Sequence, residues 1–146
     1  MLRDVVESDH DAFFEYQREP EANEMAIFPA RDRGTFDAHW QRTLADDSAI
    51  KKTIVHEGEV AGNVLSWEQD GKRLVGYWVG RRFWGKGLAT QALTELVEGI
   101  PQRPLHAWVA TTNVGSIRVL EKCGFVQVGS RTTDVEELLF ELPGVS

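Results

Sequence analysis

The 146-residue sequence lacks the features that mark secreted and membrane proteins. Its single cysteine, Cys123, excludes an internal disulfide and suits a reducing compartment. No run of ~18 apolar residues is present, and residues 1–7 do not carry the apolar segment of a signal peptide. We therefore expect a cytoplasmic protein that is neither exported nor embedded in a membrane.

Positive charge is also scarce, with 16 Lys and Arg against 23 Asp and Glu, so that the net charge is −7. A surface that is negative on average repels phosphate backbones, which argues against nucleic acid as a partner and favours a cationic substrate. The basic residues are nevertheless concentrated within residues 72–86, where a small polyanion can be held: Lys72, Arg73, Arg81, Arg82 and Lys86.

The remaining composition favours one globular domain over residues 1–146. Hydrophobic residues make up 42% of the chain and include five Trp and seven Phe, which is enough for a core. Domains commonly have ~100–150 residues, so a second core would be short of apolar surface at this length.

Apolar spacing and turn residues predict seven strands and four helices. Strands are predicted at residues 2–6, 50–56, 60–67, 74–79, 105–110, 125–133 and 135–141. Helices are predicted from Ser8 or Asp9 through Tyr16, and at residues 35–44, 85–99 and 113–124, with a loop at 20–32. This order predicts an α/β or α+β fold around one sheet, in which the strands at 74–79 and 105–110 are parallel neighbours.

The stretch from residue 78 to residue 90 is typical of an anion site at the start of a helix. The first N–H groups of a helix have no intrahelical partner and carry about half a positive charge. Gly85 and Gly87 allow a ligand to approach the backbone, and Arg81, Arg82 and Lys86 add positive charge. The alternative is an ordinary strand-to-helix turn with solvated basic residues beside it.

Two other phosphate-binding motifs fit this stretch poorly. A P-loop requires Ser or Thr where Gly87 stands, which disfavours a kinase or ATPase. The dinucleotide-binding fingerprint requires a small residue at its last position, where this chain has Thr90. It also requires an acidic residue at the end of the next strand, and the strand at 105–110 has none there.

Four segments together resemble the GNAT superfamily of N-acetyltransferases, and in particular its branch like the ribosomal-protein-alanine acetyltransferases. They are Gly76-Tyr77-Trp78-Val79, Trp84-Gly85-Lys86-Gly87-Leu88-Ala89-Thr90, Asn113-Val114-Gly115-Ser116 and Glu121-Lys122-Cys123-Gly124-Phe125. Residues 7–9, after the first strand, also look like that branch, so the resemblance extends over nearly the whole chain.

The resemblance implies a mixed, mostly antiparallel sheet of about six to seven strands, flanked by about four helices, with a splayed parallel pair at its centre. It implies acetyl-CoA as the co-substrate and a primary amine as the acceptor, either a protein N-terminus or a small-molecule amine. The alternative is a non-catalytic module that binds or senses acyl-CoA. The oligomeric state stays open, a homodimer included.

By the same resemblance, the backbone N–H groups from Gly85 to Thr90 bind the coenzyme pyrophosphate, and the Val79 N–H stabilises the developing oxyanion. Trp84 replaces the Gln or Arg usual in the family, and we expect its side chain to pack. The full set expected to bind the coenzyme is Val79, Arg81, Trp84, Gly85, Lys86, Gly87, Leu88, Ala89, Thr90, Asn113 and Ser116.

The residues that act as general acid and general base in the transfer are harder to identify from the sequence. Other GNAT branches often place a Tyr before the Glu-Lys pair, but this chain has Leu120 there. Ser116 is therefore the candidate acid, with helix capping as the equal alternative. Glu68 and Glu24 are candidate bases, although exposed glutamates are usually only solvated. An α-amine with a pKa of ~8 needs little help from a base, because about one molecule in ten is neutral at pH 7.

Other side chains that could be reactive are expected to be structural. Cys123 lies at a helix end beside Gly124, so we favour direct attack in a ternary complex over a covalent acetyl-enzyme. The four histidines lack the spacing of metal ligands, and we assign no metal. Large aromatic residues are expected mainly in the core, and those near strand ends are candidates for the wall of an amine pocket: Phe28, Trp40, Trp67, Tyr77 and Trp78.

Overall fold

A seven-stranded mixed sheet organises the chain, which our computed structural model describes over residues 1–26 and 30–144. In chain order the strands are β1 (Leu2–Asp4), β2 (Ile50–His56), β3 (Glu59–Gln69), β4 (Lys72–Val79), β5 (Leu105–Ala110), β6 (Val126–Thr132) and β7 (Glu136–Leu142). Their spatial order is β1-β2-β3-β4-β5-β7-β6. β4 and β5 are parallel and the other neighbours are antiparallel, which confirms the predicted mixed sheet and its parallel pair.

Five α-helices accompany the sheet in the described part of the chain. They are α1 (His10–Tyr16), α2 (Pro20–Ala26), α3 (Arg33–Ala45), α4 (Leu88–Glu98) and α5 (Val114–Lys122). None of these helices is long and apolar enough to cross a lipid bilayer.

Two helices differ from the sequence-based prediction. The loop predicted at 20–32 was wrong over its first part, because α2 begins at Pro20. Proline suits the first position of a helix, where its missing N–H would have no partner in any case. α4 begins at Leu88 and not at residue 85, because Gly85 and Gly87 have φ of 78° and 73°, outside the helical range. The prediction for Phe28 lies outside the described residues.

Asp9 also has a different role from the predicted helix cap. Its side chain makes no capping bond to α1. Instead its carboxylate accepts hydrogen bonds from the Arg3 guanidinium at 2.7 and 2.8 Å, from the Val6 N–H at 3.0 Å and from the Thr53 hydroxyl at 2.7 Å. Asp9 therefore ties the start of the chain to β2.

The two faces of the sheet are covered by different helices. Val64 and Leu65 are neighbours on β3 and must point to opposite faces. Val64 packs in the cluster that contains the buried residues of α4 and α5, whereas Leu65 packs against Phe13, Phe36 and Trp40 of α1 and α3. The sheet is therefore the central layer of three.

The central parallel pair separates after two residues. Within the described residues, the register joins only Arg73 to Leu105 and Leu74 to His106. The Gly80 N–H bonds to the Ala61 carbonyl oxygen, on the side of β3, at 2.8 Å. Because N–H groups alternate along a strand, the Val79 N–H points to the other edge, where β5 no longer pairs.

Candidate active site

A cleft of about 360 Å³ lies at the end of β4 where this pairing has stopped. Its walls come from the carboxyl end of β4, the turn after it, the start of α4, one face of α5 along its whole length and one residue of α2. The lining residues are Ala22, Tyr77, Trp78, Val79, Phe83, Trp84, Gly85, Gly87, Leu88, Ala89, Thr90, Asn113, Gly115, Ser116, Arg118, Val119 and Lys122. Most of the residues predicted to bind the coenzyme are thus brought together, and Arg81 and Lys86 are the exceptions; the candidate base Glu68 does not line the cleft either.

The start of α4 opens onto the cleft with free backbone donors. Gly87 is the N-cap residue, and no described side chain caps the helix there. The N–H groups of Leu88, Ala89 and Thr90 therefore have no intrahelical partner. A Cβ on Gly85 or Gly87 would meet nothing within 4 Å, so the backbone is accessible at both. This 11-residue helix can accept an anion at its N-terminus through N–H bonds and its dipole.

The basic cluster predicted around this turn is largely paired. The Arg81 guanidinium donates to both carboxylate oxygens of Glu21 at 2.8 and 2.9 Å, and this bond raises the pKa of Arg81. Arg82 bonds to Glu59 at 3.1 Å. Lys86 is exposed and does not line the cleft. Arg81 is thus paired with α2 and does not line the cleft, so the structure does not support the prediction that it adds charge to the anion site.

Two cations that the sequence analysis missed line the cleft instead. Arg118 and Lys122 lie on α5, are exposed, and are four residues apart, which places them on one face of the helix. This spacing is visible in the sequence and could have identified them. They provide positive charge across from the start of α4.

Glu68 lies away from the cleft. It is exposed near the end of β3 and pairs with Arg73, whereas Val79 is six residues further along β4. At ~3.3 Å per residue this is about 20 Å, too far for Glu68 to reach the same ligand atoms. The structure therefore does not support Glu68 as the base. Glu24 lies exposed on α2 and does not line the cleft either.

Ser116 has two roles in the structure. Its backbone N–H bonds to the Asn113 side chain at 3.3 Å, so Asn113 caps α5 as predicted. Its hydroxyl lies 2.6 Å from the Tyr77 hydroxyl, which is also 3.2 Å from the Ser116 carbonyl oxygen. Burial raises the pKa of Tyr77 to about 12, although the bond to Ser116 opposes the shift. Leu120 is 1% exposed in the core.

Trp84 lines the cleft but is 38% exposed, so its side chain is less buried than the prediction that it packs implies. Its indole N–H donates to the Val79 carbonyl oxygen at 2.9 Å, which holds the end of β4 against the turn that follows. The Cys123 thiol lies 3.6 Å from the Thr90 carbonyl oxygen and does not line the cleft, in agreement with a packing role.

The described cleft contains no obvious base or metal ligands. Neither a carboxylate nor an imidazole occurs among its described lining residues. Across residues 1–26 and 30–144, no three or more His, Cys, Asp or Glu side chains converge as a metal site requires. Chemistry in this cleft therefore depends on backbone N–H groups, hydroxyls and the two cations of α5.

Comparisons with known proteins agree with this geometry. A provisionally named ribosomal N-acetyltransferase, YdaF of Bacillus subtilis, is 29% identical over 66% of this chain, and the match spans 57% of the relative's own length. An aminoglycoside acetyltransferase in complex with coenzyme A has the same fold, with a TM-score of 0.82, 23% identity and coverage of 98% of this chain and 94% of that one.

A ribosomal-protein-alanine N-acetyltransferase from Brucella melitensis also shares the fold, with a TM-score of 0.80, 20% identity and coverage of 98% and 99%. The family model described as the acetyltransferase (GNAT) domain matches residues 1–126. Since this match covers well over half of the chain, the protein belongs to the GNAT family of acetyltransferases.

Proposed function

We propose that the protein is an acetyl-CoA-dependent N-acetyltransferase that moves the acetyl group to a primary amine by direct attack in a ternary complex. The observation that carries this proposal is the uncapped start of α4, which opens into a cleft beside a β4 edge that β5 has left unpaired. A diphosphate and an extended chain with amide groups are the chemical features that such a site satisfies. The single cysteine of the sequence supports a cytoplasmic site of action.

In this proposal the N–H groups of residues 85–90 hold the pyrophosphate. The pantetheine arm extends along β4 toward Val79, and Asn113 and Ser116 border the thioester. Arg118 and Lys122 contribute charge to the phosphates from α5. The absence of a Cβ at Gly85 and Gly87 and the free donors of α4 support this arrangement.

The reaction forms a C–N bond and breaks the C–S bond of the thioester. The Val79 N–H stabilises the oxyanion, a contribution that can reach ~3–4 kcal/mol for one such donor. The Ser116 hydroxyl donates to the departing sulfur. The nitrogen loses one proton and the sulfur gains one, so the reaction needs no other reactant.

The acceptor is proposed to be an α-amine, such as a protein N-terminus. The described cleft lacks a carboxylate or imidazole that could remove a proton from a strongly basic amine. At pH 7 about one α-amine in ten is already neutral, compared with about one lysine side chain in 2,500. The ribosomal acetyltransferases among the similar proteins suggest acceptors of the same kind.

The test is a turnover assay that measures thiol release from acetyl-CoA and the mass of the acetylated amine. The panel contains peptides with free N-termini, the same peptides with blocked N-termini and an internal lysine, a polyamine and an aminoglycoside. We expect the free N-termini to react fastest, with a rate that rises with pH and levels off near pH 8. A rate that keeps rising toward pH 10 would instead identify a lysine-like amine as the acceptor.

The alternative of an acyl-CoA sensor is supported by one observation. Leu120 stands where other branches carry a Tyr, and it is buried in the core, so α5 offers no phenol to the cleft. Tight binding of acetyl-CoA without thiol release for any amine would favour the sensor. If the protein neither binds acetyl-CoA nor releases thiol from it, both proposals are wrong. The same preparations also give the oligomeric state by light scattering.

A further inference from the structure

A second cavity, of about 310 Å³, lies between α3 and β3. His39, Arg42 and Thr43 line it from α3, and Leu65 and Trp67 line it from β3. Among the described residues, none lines both this cavity and the cleft at the end of β4. The cavity is therefore a separate place at which a small molecule can bind.

The wall on the side of β3 is apolar and flat. Leu65 packs in the cluster under α1 and α3, and Trp67 points to the same face because side chains alternate along a strand. The Trp67 indole is held in place, since its N–H donates to the Gln69 side chain at 3.1 Å and its ring lies against Gly76, where a Cβ would be only 3.0 Å away. Trp67 was a candidate for the wall of an amine pocket, but it lines this cavity and not the cleft.

The opposite wall carries positive charge. Arg42, in the last turn of α3, is exposed, and in the part of the chain that the structure describes no group bonds to its guanidinium. His39 lies three residues earlier and is half-buried. Burial lowers the pKa of His39, and the charges of Arg31 and Arg42 lower it further. His39 is therefore a neutral imidazole at pH 7, with one N–H that can donate a hydrogen bond.

Asp46 is the one carboxylate among the described lining residues, and it is engaged by its own neighbours. Its Oδ1 accepts bonds from the Ser48 N–H and hydroxyl at 3.0 and 2.6 Å. The Lys51 ammonium lies close by, where it donates to the Asp46 carbonyl oxygen at 2.9 Å. These two neighbours lower the pKa of the Asp46 carboxyl, Ser48 more than Lys51. The net charge beside the cavity is therefore positive, although the chain as a whole carries −7.

We propose that this cavity is a second ligand site, which takes a small organic anion with a flat apolar body, such as an aromatic carboxylate. Arg42 and His39 hold the anionic group by hydrogen bonds, and the ring packs against Leu65 and Trp67. Small-molecule sites usually have cavities of about 300–1,000 Å³ with apolar walls and a few polar groups. The same positive charges disfavour an amine, so the site does not serve the acceptor of the proposed transfer.

The first test compares benzoate with benzamide, which has the same shape without the charge. Two-dimensional NMR of the isotopically labelled full chain follows both titrations through the backbone of α3 and the Trp67 indole N–H. We expect shifts at these positions and a Kd for benzamide at least about tenfold weaker than the Kd for benzoate. Equal affinities of the two probes, or shifts confined to the cleft, would overturn the proposal.

Arg42→Gln removes the charge from the cavity, and Arg18→Gln is its matched control. Arg18 is also exposed, bonds to Glu15 and lies outside the cavity. We expect Arg42→Gln to weaken benzoate binding about tenfold and benzamide binding less than about twofold. Arg18→Gln should leave both affinities within about twofold of the unchanged protein. The same loss of benzoate affinity in the two variants would show that only the overall charge matters, and the proposal would then be wrong.

The His39 imidazole reports the bound anion directly. A carboxylate beside it opposes the charges of Arg31 and Arg42, so benzoate should raise the pKa of His39 by about one unit above its value in sodium chloride of the same concentration. NMR of the ring protons measures this pKa, and His39→Gln identifies the signal. An equal pKa of His39 in benzoate and in chloride would contradict the proposal.

Coenzyme A separates this proposal from the proposed function. Benzoate should bind with the same affinity when coenzyme A is added at saturating concentration, because the two sites share no described residue. Competition between benzoate and coenzyme A would place the probe in the cleft and overturn the second site. A protein that binds benzoate beside His39 but neither binds acetyl-CoA nor transfers the acetyl group would refute the proposed function alone.

Discussion

Gly87 offers the sharpest test of the anion site at the start of α4. It is the N-cap residue with φ of 73°, and a Cβ placed on it would meet open space at the edge of the cleft. Asn and Asp are the residues that best tolerate this left-handed conformation, and they have the same shape. Gly87→Asp and Gly87→Asn therefore share the backbone strain and differ by one negative charge.

The size of the effect follows from Coulomb's law. A carboxylate about 5 Å from a phosphate charge is repelled by about 1–3 kcal/mol for effective dielectric constants between 80 and 20. A value of about 2 kcal/mol makes the Kd for coenzyme A about 30-fold weaker in Gly87→Asp than in Gly87→Asn. Isothermal titration calorimetry measures both affinities directly, and circular dichroism checks that both variants fold.

Salt provides the control for this comparison. The Debye length falls from about 10 Å at 0.1 M to about 3 Å at 1 M, so the difference between the two variants should shrink to a few-fold at high salt. Affinities of the Asp and Asn variants that are both close to that of the unchanged protein at low salt would refute the placement of the phosphates at this helix. If both variants bind coenzyme A more weakly than the unchanged protein and by the same factor, the backbone conformation at residue 87, and not the added charge, determines the affinity.

Three further outcomes are expected. Lys122→Ala should weaken coenzyme A binding about three- to tenfold and reduce the salt dependence of binding, because Lys122 lines the cleft. Arg81→Gln should change the affinity for coenzyme A less than about twofold, because Arg81 is bound to Glu21. Titration calorimetry of the two variants distinguishes the roles of these cations. Burial raises the pKa of the Asp9 carboxyl, but Arg3 and two other hydrogen-bond donors lower it to about 2, below the ordinary 3.8. A lowered pKa stabilises the fold above pH 4, so Asp9→Asn should cost about 2 kcal/mol at pH 7 in urea unfolding, and the difference should disappear as the pH falls from 4 to 2. A constant difference over that range would contradict the assignment.

The sequence predicted the elements whose signals are local. The strands at 50–56 and 105–110 match β2 and β5 residue for residue, because turn residues and apolar runs bound both of them. The Asn113 cap of α5 was predicted for the same reason. α2 was missed because residues 20–32 were predicted to be a loop, although Pro20 is well suited to start a helix.

The contacts inside the cleft were less predictable because they depend on tertiary placement. Tyr77 and Ser116 are 39 residues apart, and their meeting depends on how α5 lies beside β4. The pairing of Arg81 with Glu21 requires α2, which was not foreseen. Glu68 was suggested by its place at a strand end, but an antiparallel neighbour puts that end far from Val79.

The early separation of β4 from β5 creates a strand edge in the interior of the sheet. An ordinary exposed edge recruits other chains and must be protected from aggregation. This one is flanked by its own sheet on both sides, so a second protein strand cannot reach it. A slender molecule that carries amide groups at intervals has the shape to enter this gap and to pair with the exposed backbone groups of β4.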